Sequence, residues 1–288
     1  MNPSPNSPPT LAVIGGSGLY AMPGLTEVQE THISTPFGDP SDAVITGILN
    51  GRRIAFLPRH GRGHRFNPSE VPYRANIWVL KSLGVKHIVS VSACGSLQLE
   101  MKPRDIVVPN QLFDFTKGKR AASFFDQDIV GHVGVAEPLA RTLSAAVVSA
   151  VQQAGGTVHA SGTLITIEGP RFSTKAESRA FRGWGCDIIG MTACPEAFLA
   201  REAGIDFAIM AHVTDYDVWH EEEEPVTVEI VVQRLHANLA IAQQALANVL
   251  PVIETLPHES ANAAQHAVMT GKNIISDAAR ERVKLLMN

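Results

Sequence analysis

Cysteine is scarce in this chain of 288 residues. Only Cys94, Cys186 and Cys194 occur, and no two of them stand in a CxxC spacing. That excludes a disulfide framework and a zinc knuckle, and it makes a reducing, cytoplasmic location the expectation. All three are read as small core residues rather than nucleophiles. Positive charge is not in excess either. The formal net charge is -4, so the chain offers no footprint for nucleic acid. No apolar run approaches the ~20 residues of a membrane-spanning helix, so no membrane partner is expected. Residues 1–10, MNPSPNSPPT, lack the basic and apolar regions of a signal peptide and read as a disordered tail. There is no GxxxxGK(S/T) stretch, which excludes a nucleoside-triphosphate cradle. No internal repeat, low-complexity linker or sharp change of composition divides the chain.

What is present is an ordinary globular composition, 45% hydrophobic and 18% charged. Apolar runs predict strands over 11–14, 85–91, 106–108, 161–167, 187–191 and 205–214. Two more runs within 44–57 flank Asn50-Gly51, a strong hairpin signal. Helical spacing predicts helices over 73–83, 137–154, 196–203, 226–249 and 276–286. Strands alternate with helices, which predicts one α/β domain over 11–254 with a central twisted, mixed sheet flanked by helices. Residues 255–288 are expected to form a C-terminal helical extension.

The stretch Ile205–Asp217, IDFAIMAHVTDYD, sets the functional reading. An apolar strand ends by presenting Asp215 and Asp217, which point the same way if the chain is still extended. Two acids on one side repel unless one keeps a proton or both hold a ligand. Alone, the pair would be read as a solvated loop. However, Ser17 in GGSGLY, Arg59-His60 in LPRHGRGH, Ser92 in SACGS, and Thr192 also follow apolar strands. In open α/β sheets, ligands sit beyond the carboxyl ends of the strands. Hydroxyls, a guanidinium and glycine-opened backbone suit a small phosphate dianion. Glu221–Glu224 reads as a solvated loop or first helical turn, His212 as a core or strand histidine, and Trp184 and Trp219 as packing residues. His64 divides evenly between support for the phosphate site and a surface position.

The ordered set IGGSGLY, LPRHGRGH, VPYRANIWVLK, SACGSL, TIEGPRFST, GMTACPEAFLAREAGI and TDYDVW resembles the methylthioadenosine phosphorylases of the trimeric purine nucleoside phosphorylase superfamily. The resemblance runs from about Leu11 to about Pro251. It implies a nucleoside phosphorylase fold, a homotrimer, and cleavage of 5′-methylthioadenosine by inorganic phosphate as co-substrate, with no cofactor. It places phosphate on Ser17, Arg59, His60, Ser92, the Ala93 backbone and Thr192. The family more often carries threonine at the Ser17 and Ser92 positions; serine keeps the hydroxyl. Phe172, Ser173 and Met191 are placed against the nucleoside, and His132 of GHVGVAEP at the 5′ end of a neighbouring subunit's site. For 118–130 the resemblance assigns nothing. Asp215 and Asp217 match the pair that reads the base.

The chemistry of the base agrees with that last assignment. Adenine offers an acceptor at N7 and a donor at N6. A protonated Asp215 would serve N7 and an ionised Asp217 would serve N6, with burial and mutual repulsion retaining the proton. Three alternatives remain open at this level: a 6-oxopurine phosphorylase, a hydrolytic nucleosidase, and a nucleoside-binding module without catalysis. The oxopurine branch carries an asparagine where this chain reads TDYD.

Overall fold

The computed structural model describes residues 7–220 and 227–287. Its centre is a set of parallel strands that alternate inward and outward onto two separate cores. β1 (Leu11–Gly15) lies between β4 (Arg52–Pro58) and β5 (His87–Ser96), parallel to both. Ala12 and Ile14 enter one hydrophobic cluster, and Leu11 and Val13 enter the other. β11 (Asp206–Asp215) runs parallel to β5 and obeys the same rule. Its Phe207, Ile209, Ala211 and Val213 face the first cluster, and Ala208 and Met210 face the second. This is period-two alternation in strands buried on both faces. α1 (Tyr73–Ser82) and α4 (Ala193–Glu202) cover the first face, and α2 (Arg141–Gln153) and α6 (Leu239–Val249) cover the second.

Antiparallel pairs make the sheet mixed. β3 (Val44–Leu49) returns through Asn50 and Gly51, at φ +51° and +72°, into β4. That is the double positive φ of the two-residue hairpin the sequence predicts. β2 (Thr26–Thr31) flanks β3, and β10 (Ile188–Gly190) pairs antiparallel with the end of β5. β9 (Thr163–Ile167) and β7 (Gln111–Phe115) extend that side, while β6 (Ile106–Val107) and β8 (Val158–His159) branch off β11.

Several elements differ from expectation. The strand expected to end at 91 does not stop before SACGS: β5 runs on to Ser96 because β11 pairs with it as far as Gly95. The helix expected over 226–249 is two helices, α5 (Val228–Ala237) and α6, separated at Asn238. Asn238 is buried and donates its side-chain amide to the Arg104 carbonyl at 2.8 Å. α2 starts at Arg141 rather than 137, where the Glu259 carboxylate accepts the N–H groups of Arg141 and Thr142. β2, β7 and β8 carry no apolar alternation strong enough to be seen in the sequence.

The C-terminal segment joins the first core through Ala264, Ala267, Ala279, Val283 and Leu286. Asp206 accepts the N–H groups of Glu259 and Ser260. α7 (Asp277–Val283) starts at a Ser276 cap and continues as a 3-10 turn, Lys284–Leu286. Of the tail expected over 1–10, residues 1–6 lie outside the described ones, while the Thr10 carbonyl accepts from the N–H groups of Lys86 and His87. Cys94, Cys186 and Cys194 are buried free thiols.

His212 generates a prediction. It is 1% exposed, and among the described residues neither ring nitrogen has a hydrogen-bond partner. Burial pushes its pKa down to about 4, so the folded chain holds it neutral while the unfolded chain takes up a proton below about pH 6.5. This group's contribution is therefore lost as pH falls from about 6.5 toward 4. His212→Leu should raise stability by ~1–3 kcal/mol at pH 7, because buried unsatisfied polar atoms disappear. It should also flatten the decline between pH 7 and pH 5. Denaturant titration of both proteins at the two pH values measures it; parallel declines would rule out the assignment.

Candidate functional site

Four parallel strands, β4, β1, β5 and β11, end on the same side of the sheet. The first corner forms around β1. The Arg59 N–H donates to the Gly15 carbonyl at 3.0 Å. A Cβ on Gly15 would lie 3.1 Å from the Val91 carbonyl oxygen and closer still to Leu19, so the chains meet there only because residue 15 is glycine. Ser17 opens the 3-10 turn Ser17–Tyr20 just beyond.

Arg59 is 2% exposed. Its Nε and Nη2 each donate to the Glu196 carboxylate at 2.8 Å, in the forked geometry of a guanidinium on a carboxylate. Nη2 also reaches Ser90 Oγ at 2.6 Å, and Nη1 donates to the Val91 carbonyl at 3.2 Å. Burial pulls the Arg59 pKa down, but the contact with Glu196 outweighs it and the net shift is upward. Arg59 therefore stays ionised. His60 follows, with Nδ1 2.8 Å from the Phe66 carbonyl and its ring stacked on His64 at 4.2 Å. Burial, with the nearby Arg59 charge, lowers its pKa to about 4. A neutral His60 must place its proton on Nδ1 to meet that carbonyl, leaving Nε2 as an acceptor. Ser92 and Ala93 are half-buried within β5, opposite Ala211 and His212 of β11. Thr192 is buried at the N-cap of α4.

The second corner forms at the end of β11. The ladder shifts register between Val213 and Asp215, and Asp215 lies opposite Gly95. The chain does not stay extended, as the simplest reading of the acid pair assumed: Asp217 sits at φ +51°. Its N–H donates to Asp215 Oδ1 at 2.8 Å, and the Thr214 hydroxyl donates to Oδ2 at 2.7 Å. A Cβ on Gly95 would lie 2.8 Å from Asp215 Oδ1 and 3.3 Å from Asp217 Cβ, so this position is glycine for space. Burial, aided by the Asp217 charge, pushes Asp215 up to about 6. Burial also raises Asp217, against the lowering influence of the Ser178 and Ser173 hydroxyls. Asp217 Oδ2, Ser173 Oγ and Ser178 Oγ are all buried, and among the described residues none meets a hydrogen-bond partner.

Other expected residues fall around these corners. Phe172 is exposed, and Ser173 opens onto a cavity of about 120 Å³ that Phe115, Glu168 and Phe181 also line. Met191 is half-buried, with its sulfur 2.7 Å from where a Gly169 Cβ would stand. Thr174 caps α3 (Lys175–Gly183), in a reciprocal box with Glu177. His132 lies elsewhere in the subunit: its N–H bonds the Ala267 carbonyl, and among the described residues no hydrogen bond joins it to the acid pair. Trp219 packs, donating to the Ser96 carbonyl beneath the Arg182 guanidinium at 3.6 Å, whereas Trp184 is 52% exposed beside Phe113 and Phe115. Glu221–Glu224 lie outside the described residues. Among the described residues no group of His, Cys, Asp or Glu side chains could hold a metal ion, and no helix is long and apolar enough to cross a membrane.

Sequence reasoning missed Glu196, Ser178 and Arg120. A lone acid inside the apolar stretch CPEAFLA was the available signal for Glu196; Ser178 and Arg120 had none.

Along β5, the guanidinium corner meets Val91 and the acid corner meets Gly95. Four residues of strand span about 13 Å at ~3.3 Å each, the scale of a nucleoside with an anion beside its sugar. The fold and these two corners define a mixed α/β protein with an ionised guanidinium and a pair of buried acids beyond its central parallel strands. The chain belongs to the phosphorylase superfamily, which matches residues 10–251. It is 52% identical over 275 residues to the S-methyl-5'-thioadenosine phosphorylase of Chloroflexus aurantiacus, covering 95% of this chain and 96% of that one. A crystal structure of a methylthioadenosine phosphorylase from an antarctic soil metagenomic library superposes with a TM-score of 0.93 at 45% identity, covering 98% of this chain and 100% of that one. The Schistosoma mansoni methylthioadenosine phosphorylase in complex with adenine gives 0.82 at 36% identity, covering 92% and 99%.

The buried ion pair yields a stability test. Glu196→Ala leaves the Arg59 charge uncompensated and should cost ~3–5 kcal/mol. Arg59→Met combined with Glu196→Leu should recover most of that loss, because an apolar pair needs no partner charge. Chemical denaturation of the single and double variants decides it; additive losses would mean the two residues are not coupled.

Proposed function

We propose that this chain catalyses phosphorolysis of 5′-methylthioadenosine, giving adenine and 5-methylthioribose 1-phosphate. The observation that carries this reading is the acid corner. It holds a carboxyl raised to about 6 at Asp215 beside Asp217 Oδ2, Ser173 Oγ and Ser178 Oγ, which meet no hydrogen-bond partner among the described residues. Buried polar groups without partners point to a ligand that completes them. Adenine does so, presenting an acceptor at N7 and a donor at N6. The relatives' names support the same substrate.

The reaction then runs between the corners. Asp215 donates its proton to N7 as the glycosidic bond breaks and the bonding pair moves into the purine. Ionised Asp217 accepts from the 6-amino group. Positive charge grows on the sugar, and a phosphate oxygen forms the new bond at C1′ while its negative charge stabilises that centre. Ser17, Arg59, His60, Ser92, the Ala93 N–H and Thr192 hold the phosphate. Arg59 contributes an Nη1 hydrogen, since among the described residues that nitrogen meets one acceptor, Val91. Neutral His60 accepts the phosphate O–H at Nε2. Met191 and Phe172 lie against the nucleoside. Residues 11–254 form the catalytic domain and 255–288 the extension docked on Asp206. The assembly is a cytoplasmic homotrimer in which His132 serves the neighbouring subunit's site, and inorganic phosphate is the co-substrate with no further cofactor.

Two measurements test this. Purified protein with methylthioadenosine should release adenine only when phosphate is present; equal release without phosphate would make the reaction a hydrolysis. Asp217→Asn replaces a carboxylate acceptor with an amide that can turn its NH₂ toward a 6-oxo group. One polar base contact is worth ~1–3 kcal/mol of discrimination. The ratio of kcat/KM for methylthioinosine over methylthioadenosine should therefore rise several-fold. An unchanged ratio in a folded variant would remove Asp217 from recognition of position 6.

A further inference from the structure

Arg120 lies in the irregular stretch KGKRAASFF between β7 and α2, yet it is 7% exposed. Its guanidinium ends at the turn that joins β10 to α4. Nη1 donates to the carbonyls of Met191 and Cys194, each at 2.7 Å, and lies 3.2 Å from the Tyr73 hydroxyl. Nη2 donates to the Glu168 carbonyl at 2.8 Å and reaches that of Ile167 at 3.4 Å. Nε donates to Glu168 Oε1 at 3.2 Å. A guanidinium has five hydrogens, and these six acceptors use all of them. None remains for a phosphate oxygen, so Arg120 does not bind the anion itself.

The acceptors are informative. The carbonyls of 191 and 194 bracket Thr192, and Cys194 leaves helical geometry at φ −106° and ψ 131°. That turns its carbonyl away from the helical ladder, where an external donor is required. The other acceptors, at 167 and 168, precede the loop that carries Phe172 and Ser173. Glu168 is itself fixed, by the Ser69 hydroxyl and by the Lys117 N–H at 2.5 Å. At the next position the backbone of Gly169, at φ +66°, packs against the Met191 sulfur.

We propose that Arg120 is a positioning residue for phosphorolysis. It locks the turn carrying Met191 and Thr192 to the loop carrying Phe172 and Ser173, and so fixes the phosphate half of the site against the nucleoside half. This rests on the function proposed above. A lysine would keep the charge, but as a point donor it cannot span six acceptors in three segments.

The test compares wild type with Arg120→Lys, measuring kcat, KM for phosphate, KM for methylthioadenosine, and the fraction of active sites. A displacement of about 1 Å can cost 10²-fold in rate. Arg120→Lys should therefore lose at least about tenfold in kcat and raise the phosphate KM several-fold, with the nucleoside KM within about twofold. Wild-type constants in Arg120→Lys would overturn the proposal. So would a lower kcat with both KM values unchanged and matched by lost active sites, which is what a purely structural role gives. If Arg120→Lys does not fold, Glu168→Gln weakens one arm of the same clamp and should give the same split in smaller degree; unchanged constants there would overturn it too. The wild-type control separates the two readings: phosphate-independent cleavage there would remove phosphorolysis itself.

Discussion

A guanidinium and a carboxylate face each other where almost no water reaches them, with side-chain exposures of 3% for Arg59 and 0% for Glu196. The two residues are 137 apart in sequence. Around them, Ser90 Oγ accepts from Arg59 and donates to Glu196, and the carbonyls of Ile14 and Val91 accept from Arg59. The ends of β1 and β4, the middle of β5 and the body of α4 are thus tied at one point. A buried ion pair is weak evidence for net stability, since desolvation offsets much of the attraction. Its consequence is geometric. The carboxylate fixes the plane of a guanidinium that stays ionised, and only one orientation of α4 lets Glu196 reach it. Thr192, at the N-cap of α4, inherits that orientation, and Arg120 holds the intervening turn from the other side.

The acid corner works in the opposite way. Where Arg59 is satisfied, Asp217 Oδ2 and the two serine hydroxyls meet no partner among the described residues. Both carboxyls are raised by burial, and Asp217 takes a positive φ that a non-glycine residue adopts reluctantly. Each feature costs stability in the free protein, as expected where a site is shaped for a ligand rather than for folding. Gly95 makes the arrangement possible, because any side chain there would occupy the space of the Asp215 carboxylate. Alanine at 95 would therefore displace the acids rather than merely stiffen the strand.

Much of this was legible in the sequence where the signal is local. Asn50-Gly51 specifies its hairpin by the dihedrals it favours. Apolar runs ending in polar residues mark the strand ends, and TDYD marks the acid corner. What was not legible depends on partners far along the chain. A buried charge such as Glu196 or Arg120 has meaning only beside its counterpart. The break at Asn238 depends on the Arg104 carbonyl, and the late start of α2 depends on Glu259. The edge strands β2 and β7 are largely exposed and show no apolar alternation, because an edge need not be buried on both faces. The most consequential misreading was the end of the strand placed at 91: SACGS continues it to Ser96, because β11 supplies a partner as far as Gly95.

That continuation explains why the two corners keep a fixed separation. Sites carried on strands are held more rigidly than sites carried on loops. Here one strand carries both: Val91 touches Arg59, Ser92 and Ala93 follow, and Gly95 faces Asp215. Slipping the β5–β11 register by one residue would move the corners by about 3.3 Å relative to each other and reverse which side chains face the site. The irregularity between Val213 and Asp215 makes a local adjustment of that kind at the last step. It breaks the alternation of β11 after Val213, so that Asp215 meets Gly95 instead of following its strand neighbours into the core. The length scale of the site is therefore set by strand pairing deep in the sheet, and the loops beyond it need supply only the groups that close around the ligand.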